Sequence, residues 1–146
     1  EEIEKKAWNK SIKSFTQFYG SNSLDSSLLL MEQYGFIDSK DPRYINTVKA
    51  IEKNLCYNGL LYRYKNEDDF GLPSSSFTIC TFWFINSLYK IGEIEKSKKM
   101  FDQMIEHGNH LNLFSEDLDF ESKRLLGNFP QAYSHLALID AALNFN

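Results

Sequence analysis

From Phe77 to Ile91 the chain carries apolar residues all around a helical repeat: Cys80, Phe82, Trp83, Phe84, Ile85 and Leu88. A helix that is hydrophobic on most sides has to be buried on most sides. Gly92 interrupts the run, and Glu93 to His107 follows with Ile94, Met100, Phe101, Met104 and Ile105 on one face and charges on the other. A buried helix followed by an amphipathic one, across a single breaker, predicts a helical hairpin.

The remaining chain repeats that theme. Ala7, Trp8, Ile12, Phe15, Phe18 and Tyr19 form a stripe that predicts a helix over Ile3–Tyr19, ended by Gly20. A shorter, nearly all-apolar helix is expected over Leu24–Tyr34. Ser39-Lys40-Asp41-Pro42 is a helix start with Pro at the first helical position, and Arg43–Leu55 follows with Ile45, Val48, Ile51 and Leu55 on one face. Asn58-Gly59 marks a turn into a short extended segment, Leu60 to Tyr64. The last helix is expected over Pro130–Phe145. The predicted fold class is therefore all-α: six helices in three hairpins, with long loops at 65–76 and 108–128.

Bulk properties exclude several classes. A chain of 146 residues is one domain and can bury roughly 70% of its unfolded surface. Its net charge of −4, without a basic block, argues against a nucleic-acid partner. The longest uncharged run, Phe70 to Tyr89, contains Pro73, Ser74, Ser75, Ser76 and Asn86, which suits a loop and a buried helix and not a membrane span. Cys56 and Cys80 are not at metal or redox-motif spacing and read as unpaired thiols, with Cys80 in the core. The chain opens at Glu1-Glu2 inside a helical pattern, which fits a piece of something larger, and the expected location is the cytoplasm. Phe82 to Met104 looks like one tetratricopeptide unit, but a 34-residue shift finds no second copy.

Function is expected on the two long loops, which a helical scaffold does not need. Tyr62, Arg63 and Tyr64 stand beside Glu67, Asp68 and Asp69 in the first; Phe114 to Asp119 places Glu116 and Asp117 between apolar residues in the second. Aromatic rings beside carboxylates and Arg suit a carbohydrate. A carboxylate between Phe114 and Leu118 is expected to be partly desolvated, with a raised pKa. Asp117, Asp119 and Glu121 lack the glycine and closing Glu of a calcium loop, and His107, His110 and His135 have no metal spacing, so no metal or other cofactor is expected.

Read in order, Leu24-Asp25-Ser26-Ser27-Leu28-Leu29, Asp41-Pro42-Arg43, Thr47 to Glu52, Gly59 to Tyr64, Cys80-Thr81-Phe82-Trp83, Leu113 to Asp119 and Leu126 to His135 resemble the family-fifteen glycoside hydrolases. This family comprises glucoamylases, glucodextranases and microbial trehalases. The resemblance covers nearly the whole chain. It implies an (α/α)6 toroid, of which residues 1–146 would be the C-terminal half of the catalytic domain, with the N-terminal half as a partner. It implies an inverting enzyme that releases glucose from an α-linked oligosaccharide or disaccharide by two carboxylic acids. Glu116 matches the general base, whereas the general acid belongs to the missing half. Asp25, Arg63, Tyr64 and Tyr133 match residues around the sugar. One departure stands out: the family commonly has Glu-Gly-Ala-Phe where this chain has Ser74-Ser75-Ser76-Phe77. Two other readings remain: a helical-hairpin scaffold for a partner protein, which would tolerate loss of Glu116, and a sugar-binding relative without catalysis, which only the upstream sequence separates from the enzyme.

Overall fold

The computed structural model describes residues 2–69 and 71–145; Glu1, Phe70 (the start of the uncharged run) and Asn146 lie outside the described residues. The first expected helix is the first difference. Only Glu2–Lys6 is α-helical (α1), and Trp8–Asn9 (β1) then pairs antiparallel with Ser14–Phe15 (β2). Side-chain hydrogen bonds explain the switch. The Asn9 Oδ1 accepts from the Ser11 N–H and hydroxyl, and the Thr16 hydroxyl donates to the Ala7 carbonyl. Such local bonds offer the backbone an alternative to the helix. Trp8 and Phe15, seven residues apart, fit two helical turns equally well, but here they face each other across the hairpin with ring centres 5.2 Å apart.

The second expected helix is a single 3-10 segment, Ser26–Met31, capped by Asp25, whose carboxylate accepts the Ser27 N–H. Pro42–Leu55 (α2) begins as the Asp41-Pro42 signal requires: the Asp41 carboxylate accepts the Arg43 N–H at 2.8 Å. Cys56–Tyr57 (β3) and Leu60–Leu61 (β4) then close a two-residue hairpin over Asn58 and Gly59. Both turn residues have positive φ, 49° and 79°, the reason an Asn-Gly pair sits there.

The long loops are not structureless. Ser76–Phe77 (β5) leads directly into Thr78–Lys90 (α3), and Ile94–Ile105 (α4) returns beside it. Asp117–Leu118 (β6) pairs with β5 on one side and with Leu125–Leu126 (β7) on the other. Ala132–Ala142 (α5) and a final 3-10 turn, Leu143–Phe145, complete the described chain. Among the described residues the architecture is mainly helical with three small antiparallel sheets, so the all-α expectation needs those sheets added. The hairpin pairing also differs from three successive pairs. The 3-10 segment packs with α2, α3 packs with α4, and α5 lies against α3. The first pair was lost when Ile3–Tyr19 turned into a hairpin.

Helix α3 is the shared wall of two apolar clusters. Cys80, Phe84 and Leu88, at i, i+4 and i+8, belong to one with Phe15, Tyr44, Val48 and Ile51. Phe82 and Ile85 belong to the other with Leu60, Met104, Phe114 and Leu118. This is why its sequence is apolar all round. Cys56 and Cys80 are free thiols, Cys80 fully buried. No described helix is long and apolar enough to cross a membrane.

Candidate active site

Glu116 is the last residue before β6, and its backbone is held on both sides. Its N–H donates to the Asn128 carbonyl and its carbonyl accepts from the Thr78 N–H, both at 2.9 Å. The residues preceding it are tied to α5: the Ser134 hydroxyl donates to the Ser115 carbonyl, and the Gln131 N–H donates to the Phe114 carbonyl. His135 belongs to this brace, with Nε2 accepting the Phe114 N–H. The segment is therefore anchored to the N-terminal ends of two core helices, a rigid mounting for a side chain that must be placed accurately.

The Glu116 side chain is engaged at both oxygens. The Tyr133 hydroxyl donates to Oε1 at 2.5 Å. The Asn128 side-chain amide donates to Oε2 at 2.9 Å and the Asn128 N–H to the same oxygen at 3.2 Å. Gly127 makes room for this arrangement: a Cβ there would lie 3.0 Å from Oε2, and its φ is +72°. The hydrogen bond from Tyr133 and those from Asn128 outweigh partial burial and hold the Glu116 carboxyl below its ordinary range. The expected upward shift falls instead on the neighbour: burial, opposed by a 2.6 Å hydrogen bond from the Ser75 hydroxyl and reinforced by Glu116, raises Asp117. Desolvation, and then the adjoining carboxylate, push the Tyr133 phenol far above its usual value, so it stays a donor.

Glu116, Asp117, Asn128 and Ser75 border an open cleft of about 820 Å³. Glu116, Asp117 and Asn128 form one wall; Arg63, Tyr64 and Asp68 contribute another; Pro73 to Ser75 and Phe77 complete it. The Tyr64 hydroxyl donates to Asp68 Oδ2 at 2.6 Å, which raises the Tyr64 pKa. The cleft thus brings together Glu116, Arg63 and Tyr64, three of the five residues singled out from sequence. Tyr133 reaches it through its hydroxyl on Glu116, with its ring edge-on to Phe77 at 5.8 Å. Asp25 stands behind it: only 5% exposed, it caps the 3-10 segment and approaches the Arg63 guanidinium at 3.5 Å.

Sequence reasoning missed four contributors. Gly127 and Asn128 were visible only as part of a longer matching string; a glycine and an amide directly before Phe129-Pro130 were the available signal. The serines that replace Glu-Gly-Ala are not idle either, since Ser75 bonds Asp117 and the Ser76 hydroxyl donates to the Leu118 carbonyl.

The family described as Glycosyl hydrolases family 15 matches residues 1–143. The chain is 38% identical over 142 residues to a trehalase of Thermoplasma volcanium, covering 97% of this chain and 23% of the relative. It is 44% identical over 133 residues to a trehalase of Mycobacterium tuberculosis, covering 89% and 20%. The chain thus spans less than a quarter of the length of these relatives. A wild-type glycosidase structure overlays with a TM-score of 0.82 at 15% identity, over 97% of this chain and 40% of that one. A variant glycosidase in complex with glucose overlays with the same score at 14% identity. At such identity the likeness shows the fold alone.

Proposed function

The chain belongs to glycosyl hydrolase family 15, and from that premise we propose that it carries the general base, Glu116, of an inverting hydrolase that releases glucose from α-linked glucosides. In this reading residues 1–146 are the C-terminal part of an (α/α)6 catalytic domain whose N-terminal part supplies the general acid. Water attacks the anomeric carbon and gives its proton to Glu116. The glycosidic C–O bond breaks, and the leaving oxygen takes a proton from the acid. Arg63 and Tyr64 bind sugar hydroxyls, the Tyr133 ring borders the sugar, and Asp25 acts on the substrate through Arg63. The trehalases among its relatives favour α,α-trehalose over starch ends.

The observation that carries this reading is a carboxylate held ionised on a rigid mount at the wall of an open cleft. A base has to be ionised to accept a proton and fixed to meet the water. The test is Glu116→Gln in the complete enzyme, with glucose release measured from trehalose, maltose and isomaltose. We expect kcat to fall on the order of 10²–10⁴-fold with KM little changed. An unchanged kcat would sink the assignment. Asp117→Asn is the comparison and should cost much less.

A further inference from the structure

A carboxylate offers about four lone-pair sites, two on each oxygen. On Glu116 both sites of Oε2 are taken by Asn128, through its N–H and its side-chain amide, and one site of Oε1 is taken by Tyr133. A single acceptor site is left, on Oε1. We infer that Tyr133 and Asn128 are positioning residues that clamp Glu116 so that this one site on Oε1 receives the proton of the attacking water. The inference rests on the general-base reading and adds to it which oxygen works and what selects it.

The clamp is built to act in one direction. Tyr133 keeps its proton and so donates to Glu116. The Asn128 N–H and side-chain amide both reach the same oxygen, and the backbone there is held because the Asn128 carbonyl accepts the Glu116 N–H. Gly127 supplies the close approach, since any Cβ there would press on Oε2. All three donors stabilise the charged form of Glu116, and none stabilises the protonated form. The other titratable groups near Glu116 are Asp117, the next residue, and Arg63, Tyr64 and Asp68 lining the same cleft. His135 on α5 is occupied by Phe114 and Gln131. Removing a clamp donor leaves these groups unaltered.

The experiment is the pH dependence of kcat and KM for the complete enzyme as Tyr133→Phe and as Asn128→Ala, with Glu116→Gln alongside and trehalose, maltose and isomaltose as substrates. Tyr133→Phe keeps the ring against Phe77, and Asn128 is exposed, so neither change opens the core. We expect the acid limb of kcat/KM to move to higher pH in both variants. We also expect kcat to fall, by less than in Glu116→Gln, with KM little altered. A purely structural role would lower thermal stability but leave the acid limb in place. If Glu116→Gln inactivates while the limb stays put in both variants, the clamp is refuted and the base assignment stands. If Glu116→Gln leaves kcat intact, both fall.

Discussion

Gly127 is the residue on which the site's geometry tolerates least change. Its φ of +72° is a conformation that a side chain disfavours by about 1–2 kcal/mol, and a Cβ would also sit 3.0 Å from the Glu116 carboxylate. Gly127→Ala is therefore expected to destabilise the protein by about that amount and to lower kcat by displacing Glu116. Thermal denaturation together with steady-state kinetics checks both halves. An alanine variant with unchanged kcat would mean that the Glu116 position is not critical. At this scale the sequence showed the proposed base but not what surrounds it. Glu116, Arg63 and Tyr64 stood out because their residue types and their string match a family. Tyr133 stood out in the same way, but its contact with Glu116 did not, nor did Asn128 and Ser75, because these three meet their carboxylates across separations of 17, 12 and 42 residues. No local pattern encodes contacts that distant. The expected upward pKa shift holds for Asp117, where burial prevails, and not for Glu116, where donors that the sequence does not show outweigh it.

Among the elements, α2 offers the clearest test of local stabilisation. The Asp41 carboxylate caps its first turn and also meets the Arg43 guanidinium at 2.7 Å. Asp41→Ala should cost about 1 kcal/mol at neutral pH, the usual size of a lost cap. Hydrogen bonding from the Arg43 side chain, the largest influence, lowers the Asp41 pKa in the folded chain. The cap's contribution is thus complete above the unfolded-state pKa and is lost as pH falls through the lower folded one. Urea titrations of wild type and Asp41→Ala should accordingly converge toward low pH; a difference that persisted in acid would point to packing and not to the cap. Helices α2 to α5 were legible because each has either a strong apolar period or a recognisable start. Residues 8–15 were not, because an aromatic spacing of seven suits two helical turns as well as a hairpin, and only Asn9 and Thr16 decide between them. The sheet of β5, β6 and β7 was invisible for a simpler reason: its strands are two residues long, and Ser76 pairs with Leu118.

For the whole molecule, the exposed apolar surface is the informative quantity. Leu136, Ile139 and Leu143 form an i, i+3, i+7 stripe on α5 and its 3-10 extension, each more than half exposed. Phe18 and Tyr19 are likewise exposed, beside an apolar groove that also involves Phe15, Met31 and Phe36. Surface of this kind is seldom left open on a soluble monomer. If the N-terminal part of the domain covers it, residues 1–146 alone should self-associate in sedimentation and should not hydrolyse glycosides. Inversion needs an acid and a base roughly 6.5–9.5 Å apart across the sugar. Adding the separately produced N-terminal part should restore a defined complex and glucose release; a monomeric chain that releases glucose unaided would overturn the half-domain reading. The complete enzyme should yield β-glucose first from an α-linked substrate, followed by polarimetry before mutarotation. Early α-anomer would exclude the single displacement.

The position of α3 between the two apolar clusters bears on how the molecule comes apart. Because Phe84 and Leu88 close one cluster while Phe82 and Ile85 close the other, neither can loosen without exposing a face of the same helix. Opening is then a shared event and not two independent ones. In amide hydrogen exchange the middle of α3 should be the slowest segment, released only with the global transition, while amides of α1 and the β1–β2 hairpin exchange through smaller local openings. The backbone of Glu116 hangs on the first amide of α3 through the Thr78 N–H. The proposed base therefore takes its resistance to thermal wandering from the part of the chain that is last to let go.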